Sequence, residues 1–243
     1  METAVKIPTS DGKVLFGVLH EPSVRSPHCA ILVHGLTGHM DEFLHLTFAR
    51  YLANRGMAVL RFNQYDDLEG ARRFHETTIR LHVADTKQVM AYARGRGFES
   101  LALVGHSLGA PVSIASVDAE TRALVLWDPA ESPAERIRQW NTVDKERNIS
   151  YLDWRVRILL GPGWIEDAMT FPDPYEQLSR LSVPVKILAA ELGGLIAEGQ
   201  RYRAARGGAA AFTIVPKAGH CFCEEGAIER LSVETADWLF ETM

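Results

Sequence analysis

Leu103-Val104-Gly105-His106-Ser107-Leu108-Gly109-Ala110 contains a turn of the form G-x-S-x-G set between two apolar segments. The run Leu101 to Val104 predicts a buried strand, and the small apolar residues from Ala110 to Val117 predict a helix. Gly105 and Gly109 carry no Cβ, so strand and helix can approach closely around a strained central residue. Such a turn lifts the Ser107 hydroxyl above the strand end, and the helix that starts there directs free backbone N–H groups at whatever Ser107 attacks. A free serine hydroxyl is a poor nucleophile. The pattern therefore asks for a base and for oxyanion donors elsewhere, and without them it is only a Gly-Ser turn between two core elements.

Outward from this turn the chain alternates strands and helices. β-Formers from Thr3 to Pro8 and from Val14 to His20 flank Ser10-Asp11-Gly12 and predict a hairpin. Buried strands are expected at Ala30–Val33, Met57–Phe62, Ala123–Trp127, Val183–Ala190 and Ala210–Val215. Helices are expected at Asp41–Asn54, Thr78–Arg94, Leu195–Ala205 and Glu225–Phe240. This order means a parallel sheet covered on both faces, with ligands at the carboxyl ends of the strands. From Ala130 to Tyr175 the pattern changes. Trp140, Trp154 and Trp164, several arginines and Gly161-Pro162-Gly163 mix without strand alternation, which predicts a mainly helical insertion over 130–175 between core segments 1–129 and 176–243.

The 243 residues suffice for one α/β domain with an insertion. A net charge of -5 gives nucleic acid no recommendation as a partner. The start, Met1 to Lys6, has neither the basic nor the apolar region of a signal peptide. No apolar run is long enough to span a membrane. Three cysteines fit a reducing cytoplasm, the expected location, better than a disulfide framework. The oligomeric state stays open, a homodimer among the options.

His34-Gly35-Leu36-Thr37-Gly38 follows one strand, and Ala218-Gly219-His220 follows the last. With the G-x-S-x-G turn, in the order hairpin, His-Gly loop, elbow, insertion and last-strand histidine, the chain resembles the α/β-hydrolases over essentially its whole length. Leu46-Thr47-Phe48-Ala49-Arg50 after the His-Gly loop makes it similar to small-capped serine esterases, such as cinnamoyl or feruloyl esterases and monoacylglycerol-lipase-like proteins. The resemblance implies a mostly parallel eight-stranded sheet flanked by helices, with a small, mainly helical cap inserted after the sixth strand. It implies Ser107 as nucleophile, His220 as base, and the backbone N–H groups of Leu36 and Leu108 as oxyanion donors. Among nine histidines, His220 alone sits on a loop able to reach over the elbow from the last strand. His34 reads as a brace for its own loop, and His106 as pointing away from Ser107.

The third triad member departs from the pattern. The family places an aspartate shortly after the penultimate strand, where this chain reads Ala189-Ala190-Glu191-Leu192-Gly193-Gly194, and the matching position is Gly193. Glu191, on the same strand end, and Asp128, at the end of the strand after the elbow helix, are the two substitutes. Both preserve the order serine, acid, histidine. A second departure lies in Asn63-Gln64-Tyr65-Asp66-Asp67-Leu68, where relatives carry an aspartate and glycines. Cys221-Phe222-Cys223 lacks the further ligands a zinc site needs and reads as buried packing of small hydrophobes. No metal and no cofactor are expected. The expected activity is cleavage of a small carboxylic ester through an acyl-enzyme. The alternatives are a peptidase or amidase of the same fold, and a ligand-binding relative with a degenerate triad.

Overall fold

The hairpin around Gly12 forms as expected: β1 (Glu2–Pro8) pairs antiparallel with β2 (Val14–His20). The computed structural model describes all residues except Lys145, Arg147, Asn148, Arg155 and Pro162, with Trp154 and Val156 described by backbone alone. The Trp154 side chain and the proline of Gly161-Pro162-Gly163 therefore lie outside the described residues. The central strands are β3 (His28–Val33), β4 (Ala58–Phe62), β5 (Ser100–His106), β6 (Thr121–Trp127), β10 (Val185–Ala190) and β11 (Ala211–Val215). They join the hairpin in an eight-stranded sheet of order β1-β2-β4-β3-β5-β6-β10-β11. Pairing is parallel throughout the central strands, and β2 meets β4 antiparallel.

The continuous apolar runs of these strands divide by the period of two. Leu101 and Leu103 of β5, and Leu124 and Leu126 of β6, face one core. That core is closed by α2 (Ile79–Gly95), α3 (Gly109–Ser116) and α7 (Ile196–Ala205). Ala102, Val104, Ala123, Val125 and Trp127 face the other, closed by α1 (Phe43–Asn54) and α8 (Ala227–Thr242). Trp127 is fully buried there and donates its indole N–H to Thr235 Oγ1 at 3.0 Å. No helix among the described residues is long and apolar enough to cross a membrane.

After β6 the chain leaves the sheet. It forms α4 (Pro133–Trp140), β7 (Asn141–Asp144), β8 (Ile149–Trp154), β9 (Val156–Leu159), α5 (Trp164–Thr170) and α6 (Pro174–Ser179). The helices were expected in this insertion; its three-stranded antiparallel sheet β7-β8-β9 was not. Strands of four to six residues carry too little alternation to stand out in sequence, yet Leu152 and Ile158 pair across the ladder and are both buried. Ile137, Leu152, Ile158, Trp164 and Ala168 belong to the same apolar cluster as the sheet core.

Several histidines are built into this interior as neutral groups. Burial, with Arg61 beside it, lowers His20 to about 4. Burial likewise lowers His34 to about 4 and His82 to about 3, from an ordinary 6.5. Below about pH 6.5 the unfolded chain takes up protons that the folded protein refuses. Stability is therefore fully present above that pH and falls between about pH 6.5 and 4, by about 1 kcal/mol per pH unit for each such histidine. Urea denaturation should give a markedly lower midpoint at about pH 5 than at about pH 7. An unchanged midpoint would mean that these side chains are protonated in the fold.

Candidate active site

The elbow owes its shape to its two glycines. A Cβ on Gly105 would lie 2.3 Å from the carbonyl oxygen of Gly109, and one on Gly109 would lie 2.1 Å from that of Val33. Strand and helix can cross here only because neither has a side chain. Ser107 between them adopts φ +52°, a conformation uncommon for a residue with a side chain. It is held by Ser107 N–H donating to Trp127 O at 3.0 Å, and by the amides of Ala110 and Ala130 donating to Ser107 O at 3.0 and 3.2 Å.

The His34–Gly38 loop lies against the serine. A Cβ on Gly35 would come within 2.9 Å of Ser107 Cβ, so glycine is required for this approach. Gly38 N–H donates to Gly35 O at 3.1 Å and closes the turn, with Thr37 at φ +60°. His34 braces the loop from below. Its Nδ1 donates to Gly35 O at 2.9 Å, and its Nε2 accepts from Gln64 N–H at 3.1 Å. Gln64 Nε2 also donates to His34 O at 2.8 Å, and Asn63 Oδ1 accepts from Met40 N–H at 2.8 Å. The divergent loop after β4 thus supports the His-Gly loop from the side. Among the described residues, the backbone N–H groups of Leu36 and Leu108 have no intramolecular acceptor.

His220 follows β11 and reaches back over the elbow. Its Nδ1 lies 2.6 Å from Asp128 Oδ2. Asp128 is fully buried at the end of β6, at φ +38°. Its other oxygen accepts from Ala190 N–H at 3.0 Å, and its own N–H donates to Leu188 O at 2.7 Å. The carboxylate therefore spans the ends of β6 and β10. Glu191 does not share this place: it is exposed, and its carboxylate accepts from Lys217 N–H at 2.7 Å. The aspartate position that holds Gly193 also has a physical account, because a Cβ there would lie 2.3 Å from Asp128 Oδ2. The space that a side chain at 193 would need is filled by the carboxylate arriving from β6.

His106 is a member of the site that its place inside the elbow did not disclose. Its Nε2 lies 2.8 Å from the carbonyl oxygen of His220. A carbonyl only accepts, so Nε2 carries the proton. Burial drives the His106 pKa well below its ordinary value. The residue before Ser107 thus ties down the backbone of His220. The cysteines differ from their expected packing: Cys221 and Cys223 are exposed, while Phe222 between them is fully buried at φ +51°. The sharp turn sends the aromatic ring inward and both thiols outward.

Ser107 and His220 line one cavity of about 120 Å³, closed by Leu36, Leu108, Pro133, Leu152 and Trp164. On the far side of His220 and Gly193 lies an open groove of about 510 Å³ bordered by Glu135, Arg136, Glu198 and Arg201. One side of the histidine is enclosed and mainly apolar, and the other is wide and charged.

A family model described as "Serine aminopeptidase, S33" matches residues 26–158, more than half of the chain. No curated protein matches it. Among solved structures, Est1E from Butyrivibrio proteoclasticus with ferulic acid bound aligns at TM-score 0.85 and 20% identity, over 98% of this chain and 99% of that one. The esterase domain of a Rhodothermus marinus protein aligns at 0.75 and 16%, over 98% and 97%. A dienelactone hydrolase from Anabaena variabilis aligns at 0.73 and 15%, over 100% and 98%. At such identities the structural likeness is one of fold. The sequence match carries further, since it spans the His-Gly loop, the elbow and the entry into the insertion: the chain belongs to the serine aminopeptidase S33 family, within the α/β-hydrolase superfamily.

Proposed function

We propose that the protein is a serine esterase that cleaves a small carboxylic ester through an acyl-enzyme. The observation that carries this reading is the 2.6 Å contact between the buried Asp128 carboxylate and Nδ1 of His220, beside the cavity that holds Ser107. In this reading the Nδ1 proton is held by Asp128, which leaves Nε2 as a lone pair for the Ser107 proton. Ser107 Oγ bonds to the carbonyl carbon while its proton passes to His220. The carbonyl oxygen becomes an oxyanion received by the Leu36 and Leu108 N–H groups, each donor of this kind contributing about 3–4 kcal/mol. The imidazolium then returns its proton to the leaving alkoxide, and the alcohol departs. Water, deprotonated by His220, attacks the acyl carbon; the acyl–Oγ bond breaks, Ser107 Oγ takes the proton back from His220, and the acid is released. These steps need no cofactor.

The enclosed, mainly apolar cavity suits a short acyl group, and the open charged groove suits a polar alcohol. The likeness to Est1E with ferulic acid is in keeping with an ester. A peptidase reading has two observations in its favour: the matched family model is described as a serine aminopeptidase, and Glu42 and Glu131 line the same cavity, where a carboxylate would pair with a substrate ammonium. Arg136 already engages Glu131 at 2.9 Å, and the cavity wall is otherwise mainly apolar, which favours an ester over a charged aminoacyl group.

A fluorophosphonate probe should label Ser107 stoichiometrically. Turnover of p-nitrophenyl esters should fall with acyl length and exceed that of aminoacyl p-nitroanilides. Faster anilide cleavage would favour the peptidase. An unlabelled serine would leave a ligand-binding protein.

A further inference from the structure

Beside this site, but outside the proposed reaction, three ligand-type side chains converge. Glu42, His45 and His106 each place a nitrogen or oxygen atom within 4.8 Å of the others. Glu42 caps the start of α1, and His45 follows three positions later, so both lie on one face of its first turn. His106 comes from the end of β5. The histidines are buried, at 1% and 5% exposure.

Their hydrogen bonding is incomplete in a way that points to a cation. Because His106 Nε2–H is spent on His220 O, its Nδ1 is a bare lone pair, and among the described residues nothing donates to it. Neither ring nitrogen of His45 has a hydrogen-bond partner there. Its Nδ1 lies 3.3 Å from Glu42 Oε2, outside hydrogen-bond geometry. A buried polar atom without a partner costs about 1–3 kcal/mol, and an ion would satisfy two of them at once, His106 Nδ1 and one ring nitrogen of His45, beside a carboxylate.

We propose that Glu42, His45 and His106 form a site for a divalent first-row metal ion, with Zn²⁺ the ion their chemistry fits. Two neutral imidazoles and one carboxylate are a ligand set of catalytic and regulatory zinc centres. Bonds of 2.0–2.1 Å in tetrahedral geometry put ligand atoms about 3.3 Å apart, so side-chain rotations of about an ångström close the site. The fourth position opens on the cavity, which Glu42 and His106 both line. An ion there sits at the wall of the acyl pocket, and through the two nitrogens of His106 it is linked to the backbone of His220.

Chelator-treated protein dialysed against micromolar Zn²⁺ should retain one ion per chain by elemental analysis. Glu42→Gln and His45→Gln should each weaken retention by more than the 10–100-fold typical of outer-shell changes. Co²⁺ in the wild-type protein should give visible ligand-field bands without a thiolate charge-transfer band, which sets the site apart from Cys221 and Cys223 and needs no variant to fold. Ser107→Ala should bind the ion as wild type does, so the site and the esterase reading stand or fall separately. No retained zinc, a cobalt–thiolate band, or retention unaltered in both ligand variants would overturn the assignment.

Discussion

Ser107→Ala and His220→Ala should each lower kcat/KM on an activated ester by about 10⁶-fold, and the double variant should be little worse than either. The expected non-additivity follows from the proposed chemistry. Without the hydroxyl, His220 has no proton to take, and without the imidazole, the hydroxyl has nothing to activate it. The fold should persist, because alanine keeps the Cβ that Ser107 already carries at φ +52° and adds no new strain. His220 sits on a loop, with the neighbouring Phe222 providing the buried anchor. Steady-state rates on one activated ester, with unfolding followed in parallel, make the comparison. Retention of most activity by either pure, folded variant would remove the acyl-enzyme reading.

Asp128→Asn should cost about 10⁴-fold in kcat/KM, while Glu191→Gln should change it little. The reason lies in what the two Asp128 oxygens do. One accepts from Ala190 N–H and the other faces His220 Nδ1. In asparagine the amide oxygen is retained by the Ala190 donor, so the NH₂ group is turned toward His220. It would donate to Nδ1, force the ring proton onto Nε2, and remove the lone pair that Ser107 needs. Gly193→Ala should fall on the same side as Asp128→Asn. Its added Cβ enters the space of Oδ2 and displaces the carboxylate from the imidazole. Should Glu191→Gln collapse and Asp128→Asn survive, the acid has been placed on the wrong strand.

The elbow could be read from the chain because its requirement is local: two glycines at fixed spacing, a strand before them and a small-residue helix after. The His220 loop was legible for a similar reason, lying past the last strand where the sheet order carries it to the site. The acid was not legible. Asp128 and Glu191 end neighbouring strands, and which of them meets His220 depends on φ +38° at Asp128 and on a backbone bond from Lys217 to Glu191. Gly193 read as a missing acid, although its smallness makes room for Asp128. The sheet in the insertion escaped notice because its strands are short, and the Glu42–His45–His106 cluster because His106 lies some sixty residues along the chain from the other two.

Leu152 and Trp164 wall the cavity beside Ser107 and are also members of the main hydrophobic cluster. Selection on substrate range and selection on folding thus act on the same side chains. Truncating a buried tryptophan costs about 3–5 kcal/mol, a large share of the 5–15 kcal/mol that holds a domain together. If the protein acts as proposed, widening this cavity for bulkier acyl groups by truncating Trp164 draws on the same few kcal/mol that keep the chain folded, so substrate breadth and melting temperature are coupled.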